Sequence, residues 1–373
     1  MAEGERRVRK AVIPVAGFGT RFLPITKTTP KEMLPIIDKP VVQYVVEEAV
    51  AAGLSDILFV ISKGKSTLED YFDRAPELEA ELERKGKEEA LAAVRATSRL
   101  ARVHFVRQPV MRGLGDAILH ARDHVGGEPF VVLLGDTATV PSPGAPAVAA
   151  QLVEAYGRHG GPVVAVERVP KEKIHRYGIV DGVPVEGDGD LLRVRGLVEK
   201  PSPEEAPTDL AVASRYLLTP DVFDFIAATK PGKGGEIQIT DALRALAASR
   251  PLYARRVAGE RFDAGDKLEF LKTNVRFALA RPDTGSFRSA GSPRCAPAPD
   301  PPSETPPARG SRGKPPDVPR PSNPAQGSAP GPHAIRPHAP APDAPRSTAP
   351  PAPWENAPAH RNSPAPPRDS RRN

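Results

Sequence analysis

Cysteine is nearly missing from this 373-residue chain: Cys295 is the only one. A single thiol excludes an intrachain disulfide framework and a thiolate metal centre, and it fits a reducing compartment. Long apolar runs are missing too. None approaches the roughly 18 residues that a membrane-spanning helix needs. The charged start, Met1 to Lys10, lacks the apolar stretch of a secretory signal. These absences predict a cytoplasmic chain with no membrane partner. The eight histidines show no ligand spacing and are expected to be structural or exposed. An excess of one charge is also missing from most of the chain. Residues 289–373 hold 11 Lys+Arg and 6 Asp+Glu, which leaves 41 against 40 for residues 1–288, so nearly all of the net +6 belongs to the tail. A nucleic-acid footprint over the globular part is not supported.

The composition shift near residue 288 divides the chain. Residues 289–373 hold 25 of the 46 prolines, with Ala, Ser and Arg in no period, and too little apolar surface for a core. Two readings stand. One is a disordered extension in which Pro350-Pro351-Ala352-Pro353 favours polyproline II, a ligand type for proline-binding modules. The other is a shifted reading frame in a GC-rich gene, since such frames encode Pro, Ala, Arg, Gly and Ser.

What is present gathers around Ala11 to Pro35. A β-branched run, Val12-Ile13-Pro14-Val15, suits a buried parallel strand. Ala16-Gly17-Phe18-Gly19-Thr20-Arg21 follows, where glycines permit a tight turn that exposes N–H groups to an anion. Arg21 adds a planar cation, and Lys31 a second one between Pro30 and Pro35. The P-loop pattern is absent, and the third glycine of the dinucleotide fingerprint is replaced by Phe22. An ordinary glycine turn with surface cations is the plain alternative; the pattern as a whole points to a nucleoside triphosphate site.

Strand and helix patterns alternate from here. A helix opens at Lys39-Pro40 and stops at Gly53, and Ile57–Ile61 is a strand, which makes a right-handed crossover unit. Residues 66–98 read as charged, solvated helix. Val103–Val106 is a strand, 114–124 a helix, and Phe130–Leu134 an apolar strand ending in Gly135-Asp136. Thr137 to Gly144 reads as a loop, followed by a helix to about His159. Val163–Val166, Tyr177–Val180, Leu191–Val198 and Leu210–Leu218 read as strands. Phe223–Ala228 and Asp241–Ser249 read as helices, the latter with Thr240 as N-cap, and a last helix spans Asp266 to about Ala280. The expected fold is α/β: a doubly wound, mostly parallel, Rossmann-like sheet over residues 1–288. Ligands then bind beyond the strands' carboxyl ends, where Gly17–Arg21, Gln108–Gly115 and Asp136 all fall. A carboxylate at that position, Asp136, suits Mg²⁺, which prefers oxygen ligands; its alternative is a turn-forming aspartate.

The stretch VAGFGTRFLPITKTTPKEMLPIIDKP resembles, long and ungapped, the signature of bacterial UTP–glucose-1-phosphate uridylyltransferases, within the sugar-nucleotide pyrophosphorylases. The resemblance continues to about Phe287. It implies a nucleotidyltransferase that joins UTP and glucose 1-phosphate with Mg²⁺, without a His or Ser triad. It assigns Arg21 and Lys31 to the triphosphate, with Asp136 completing the catalytic set, and Ala16, Gly17, Gly19, Gln108 and Gly113 to the nucleotide. It assigns Gly178, Glu199, Lys200 and Glu236 to the sugar phosphate, and Asp263 to the metal beside Asp136. Asp266 competes with Asp263 and reads equally as a helix cap.

The chain departs from the family pattern in three places: the loop Pro109 to Arg112, the triplet Ala213-Ser214-Arg215 on a strand near the sugar, and a missing closing segment after Phe287. In relatives the C-terminal part helps subunits pack, so the resemblance implies a homo-oligomer weakened at that end. A dTTP- or other-sugar-specific enzyme, and a catalytically silent relative with a protein-binding tail, are the alternatives.

Overall fold

Apolar β-branched runs build the strands of this computed structural model, which describes residues 7–284. The tail expected to be disordered, from residue 289 on, lies outside the described residues. Strand β1 (Lys10–Pro14) is buried almost throughout. Short turns follow, including one at Lys31–Met33, and then a clasp of β2 (Pro35–Ile36) with β3 (Lys39–Pro40). Helix α1 (Val41–Ala51) buries Val41, Val42, Val45, Val46 and Ala49 on one face. It stops before Gly53, which adopts a φ of 80° that other residues avoid. Strand β4 (Asp56–Ile61) lies parallel to β1, so the expected crossover unit is present.

The charged stretch is helical as expected, in three pieces: α2 (Ser66–Phe72), α3 (Pro76–Arg84) and α4 (Glu88–Thr97). Glu79 departs from the solvated face assigned to it. It is buried, because Arg74 and Arg95 both donate to its carboxylate. After β5 (Arg102–Arg107), the single helix expected over 114–124 is two, α5 (Leu114–Leu119) and α6 (Arg122–Val125). The backbone tightens between them, with Ala121 N bonding to Ile118 O.

Strand β6 (Phe130–Leu133) is fully buried, and the loop expected next is a strand, β7 (Thr137–Pro141). Its β-branched Thr137, Thr139 and Val140 meet a partner far along the chain, described below. The remaining elements are α7 (Val148–His159), β8 (Val163–Arg168), β9 (Gly178–Val185), β10 (Asp188–Glu199), β11 (Leu210–Leu218), α8 (Val222–Ala228), α9 (Ile239–Ser249), β12 (Tyr253–Arg256), β13 (Gly259–Asp263) and α10 (Lys267–Ala280). Thr240 does not cap α9. It lies within the first turn, and its hydroxyl donates to Glu199 at 2.7 Å. Asp266 does cap α10, accepting from Leu268 N and Glu269 N.

Nine strands form one sheet in the order β5-β4-β1-β6-β11-β8-β12-β10-β9. Only β11 and β10 run against the others, so the sheet is mostly parallel as expected. Alternate residues of β1 and β4 serve opposite faces. Ile13, Ile57 and Phe59 pack with α1 and α7, whereas Val12, Leu58 and Val60 pack with α5, α8 and α9. Helices therefore cover both faces, as a doubly wound sheet requires. A further pairing, Ala211 with Ile179, joins β9 to β11 and brings Gly178 beside the start of β11. In a separate ladder β13 pairs antiparallel with β7, placing Asp263 opposite Thr137. Among the described residues no helix is long and apolar enough to cross a membrane.

One buried ion pair fastens this frame. Arg215 on β11 is fully buried, and its guanidinium donates to Glu48 of α1 through Nη2 at 2.6 Å and to Thr137 O at 2.8 Å. Glu48 also accepts from Thr139 Oγ1 and Ala149 N. Arg215, on the strand expected near the sugar, is held in the interior by the carboxylate of Glu48 and the carbonyl of Thr137. Removing one partner of such a pair strands the other in a dry interior and costs about 3–5 kcal/mol. Arg215→Met is therefore expected to lower the unfolding free energy by that amount, measured by urea denaturation followed by circular dichroism. A loss under about 1 kcal/mol would show that the pair does not hold the frame.

Candidate active site

The carboxyl ends of β1, β4, β5 and β6 lie side by side, and the loops that leave them form one rim. The loop after β1 is tied down where it begins. Val15 N bonds to Val60 O, and Ser62 Oγ donates to Ala16 O at 2.7 Å. Of the two glycines, Gly19 takes the left-handed conformation, at φ 65°, while a side chain at Gly17 would meet open space. Gly17 thus leaves room on the rim, and Gly19 makes the turn. Phe22, where a dinucleotide fold would have glycine, packs edge-on against Phe270 of α10.

Asp136 follows β6 on this rim, and Lys31 Nζ lies 2.5 Å from its Oδ2, each side chain about a fifth exposed. Behind them Lys65 Nζ donates to the buried Glu32 at 2.7 Å. Burial pushes the Asp136 carboxyl up, but the charge and hydrogen bond of Lys31 outweigh it and hold the group below its usual range. Burial likewise opposes the charge on Lys31, yet Asp136 and Glu32 together push its ammonium up to about 12. For Glu32 burial wins, and its carboxyl is raised in spite of Lys65 and Lys31.

The β7–β13 ladder brings in the second carboxylate. Asp263 accepts from Gly265 N at 2.8 Å, and Ala264 N bonds to Asp136 O at 2.9 Å. Arg21 reaches the same point, with Nη1 donating to Gly265 O at 3.0 Å. A methyl group built on Gly265 would lie 2.9 Å from Asp263 Oδ1, 3.2 Å from Asp136 Oδ2 and 3.5 Å from Arg21 Nη1. Glycine therefore keeps the small space into which both carboxylates and the guanidinium face. Two hard oxygen donors converging from two strands suit a divalent cation.

Beside this cluster a cavity of about 270 Å³ is lined by Ala16, Gly17, Lys31, Gln108, Gly113, Asp136 and Glu236, among others. Gln108 is buried, and its side-chain amide donates to Asp116 Oδ2 at 2.6 Å. Asp116, which the sequence reading did not single out, is buried too and also binds Arg112. It fixes the Gln108 amide with its NH₂ committed, which leaves the carbonyl oxygen to accept. Gly113 sits at φ 104°, and a Cβ there would come within 2.8 Å of Glu236 Cβ and Ile237 O. Ile237 N in turn bonds to Arg112 O, so the segment around Glu236 clamps the loop after β5. A larger cavity, about 510 Å³, lies away from the rim between β13 and α10. The charges lining it are paired, Arg276 with Glu260, Lys272 with Glu269 and Arg261 with Glu167.

Gly178, Glu199 and Lys200 meet where β9 and β10 pair, with Gly178 opposite Glu199. Glu199 Oε2 accepts from Thr240, and Lys200 Nζ lies 3.1 Å from Glu199 Oε1. A Cβ at Gly178 would fall 2.9 Å from Thr240 Oγ1, so glycine is needed for this approach. The two halves of the site are linked through one short segment. Glu236 lines the cavity and Thr240 holds Glu199, and four residues of chain span at most roughly 14 Å. Glu236, assigned with the sugar group, is packed against Gly113 of the nucleotide group.

The ion pair sets a pH window. Asp136 titrates below its ordinary value, so its contribution to stability is present above that value and is lost as pH falls through the folded one. Lys31 titrates above its ordinary 10.5, so its contribution is full below 10.5 and lost as pH rises through about 12. In Lys31→Met burial of Asp136 is opposed only by the hydrogen bonds of Thr137 and the backbone. Its carboxyl is then expected to titrate above the ordinary 3.8 in a carbon-13 NMR titration. A value that stays low would show that Lys31 is not what holds the charge.

The profile of the nucleotidyl transferase family matches residues 10–287. A UTP–glucose-1-phosphate uridylyltransferase of Staphylococcus haemolyticus is 47% identical over 277 residues, covering 74% of this chain and 94% of that protein. The Bacillus subtilis protein of the same name is 46% identical over 275 residues, with 74% and 92% covered. Among solved structures, a UDP-glucose pyrophosphorylase complexed with UDP-glucose superposes with a TM-score of 0.68 at 41% identity, covering 74% of this chain and 100% of that one. A UTP-bound enzyme of the same kind from Acinetobacter baumannii gives 0.69 at 37% identity, with 76% and 98% covered. The chain belongs to the nucleotidyl transferase family, among the UTP–glucose-1-phosphate uridylyltransferases.

Proposed function

We propose that the protein joins UTP to glucose 1-phosphate, giving UDP-glucose and pyrophosphate. The observation that carries this reading is the convergence of Asp136, Asp263 and Arg21 on the space beside Gly265, with Lys31 held on Asp136. A phosphate oxygen of glucose 1-phosphate forms a bond to the α-phosphorus of UTP, and the bond from that phosphorus to the bridging oxygen breaks. The electron pair leaves with pyrophosphate. The nucleophile is already an anion, so no side chain has to take a proton. The protein's work is to hold two repelling anions in line and to offset their charge.

Each group then has a part. Lys31, now paired with a carboxylate, can exchange it for phosphate oxygens, and Arg21 offers a second cation on the same side. Nucleotidyl transferases generally use a divalent metal. Asp136 and Asp263 fit Mg²⁺, which when bound would offset triphosphate charge. Ala16 and Gly17 offer backbone groups to the base, and Gly19 makes the turn that presents them to the nucleotide. Gln108, with its NH₂ committed to Asp116, can accept from the ring N–H of uracil. Glu199 suits glucose hydroxyls, Lys200 its phosphate, and Glu236 closes the wall between the two groups.

This reading places the whole site within residues 1–288, with the tail adding nothing to it. It also retains a homo-oligomer. Leu268, Leu271 and Val275, exposed on one side of α10, offer an apolar surface for it.

The test is a steady-state assay over a panel of nucleoside triphosphates and sugar 1-phosphates, repeated on a chain ending at Arg288. UTP with glucose 1-phosphate is expected to be the preferred pair in both. Asp136→Asn is expected to lose Mg²⁺-dependent turnover by at least about 100-fold with the fold retained. Comparable rates with dTTP would refute the uridylyl assignment. Full activity in Asp136→Asn would remove that residue as a metal ligand.

A further inference from the structure

At the opposite end of β4 from the active rim, three groups that could ligate a metal come together. Asp56 is the first residue of β4, His104 lies on the neighbouring β5, and His124 lies on α6, which covers that face of the sheet. In the β4–β5 register Asp56 stands opposite Arg102, and His104 opposite Leu58. Asp56 and His104 are therefore diagonal neighbours on one face. His124 Nε2 is 3.0 Å from Asp56 Oδ1, and His104 Nε2 is 3.6 Å from the same oxygen. One ligand atom from each residue lies within 4.8 Å of the other two. Spacings of 20 and 48 residues hide the group from a sequence search.

We infer that Asp56, His104 and His124 form a site for a divalent transition-metal ion of the zinc class, separate from the nucleotide site. Ligand atoms about 2.0–2.1 Å from a tetrahedral zinc stand roughly 3.3 Å apart. The distances of 3.0 and 3.6 Å fall on either side of that value. A hydrogen-bonded cluster explains less. The distance of 3.6 Å is too long for a hydrogen bond, so His104 aims its ring nitrogen at a carboxylate it does not bond. The two ring centroids are 4.8 Å apart at a tilt of 54°, and both Nε2 atoms lie within 3.6 Å of the one carboxylate oxygen.

Donor chemistry and charge select the ion. Two imidazoles and one carboxylate favour zinc, cobalt, nickel or copper, whereas the paired carboxylates of the active rim favour magnesium. The nearest cations are already balanced. Arg9 is held bidentate by Glu128, and Lys10 Nζ bonds to Glu128 and to the carbonyls of His124 and Val125. Among the described residues no lysine or arginine forms an ion pair with Asp56, whose carboxylate is left to the imidazoles and an ion between them. With side-chain exposures of 13% for Asp56, 23% for His124 and 43% for His104, the group opens to solvent on one side, where water can complete the shell. Bound there, the ion ties α6 to β4 and β5.

The experiment is equilibrium dialysis of the full chain against Zn²⁺ with millimolar Mg²⁺ present, read by metal analysis, alongside a thermal melt. The unmodified chain is compared with His104→Ala/His124→Ala, with the single His104→Gln, and with Asp136→Asn. Histidines and the cysteine of the tail are common to all four. The expected result is one equivalent of Zn²⁺ fewer in the double variant and an affinity at least about tenfold weaker in His104→Gln. Asp136→Asn should bind as the unmodified chain does. Zn²⁺ should raise the melting midpoint of the unmodified chain and leave that of the double variant unmoved. His104 is partly exposed, so the single variant remains informative if the double variant does not fold. Equal stoichiometry and affinity in the unmodified chain and the histidine variants would overturn the site, as would loss of the same equivalent in Asp136→Asn.

Discussion

Lys31 and Asp136 stand 2.5 Å apart at the end of a buried strand, and the rest of the site is arranged around that pair. An isolated charge in so closed a position would be costly, and here each charge lowers the cost of the other. The pair also stores what the reaction needs. On the proposed reading the two charges separate, one toward phosphate and the other toward a metal ion, without rearranging the backbone. Arg21 and Asp263 face the same space beside Gly265, so a second cation and a second carboxylate stand close to the pair.

The scaffold explains why that arrangement is stiff. Asp136 is followed directly by β7, whose Thr137 carbonyl accepts from the buried Arg215, and Arg215 is locked to Glu48 of α1. The same β7 carries β13 and with it Asp263. A single short strand therefore connects the buried ion pair, both rim carboxylates and the parallel sheet. On the other side, Asp116 fixes the Gln108 amide, and the segment from Glu236 to Thr240 joins the nucleotide cavity to the Glu199–Lys200 pair. The residues assigned to the nucleotide and those assigned to the sugar are thus joined by one short stretch of backbone.

Much of this was legible in the sequence. The apolar runs at Val12, Ile57, Val103 and Phe130 are long and β-branched enough to announce buried parallel strands, and the rim followed from where they end. What escaped has a common cause. Thr137–Pro141 has strand-forming residues, but its partner lies over a hundred residues away and its neighbours are glycine and proline, so it read as a loop. Glu48, Glu79, Asp116 and Arg215 look like surface charges in sequence, because burial depends on partners that only the fold supplies. Thr240 had a capping residue's chemistry and was claimed by Glu199 instead. The roles of Gln108, Glu199 and Lys200 rested on resemblance alone, since such residues are commonplace without it.

Electron density for UDP-glucose in crystals of the full chain tests the central claim most directly. The expected result is uracil against Gln108 and Gly113, the diphosphate beside Lys31 and Asp136, and glucose against Glu199 with Lys200 at its phosphate. Density that places the diphosphate away from the Lys31–Asp136 pair, or the glucose away from Glu199, would contradict it.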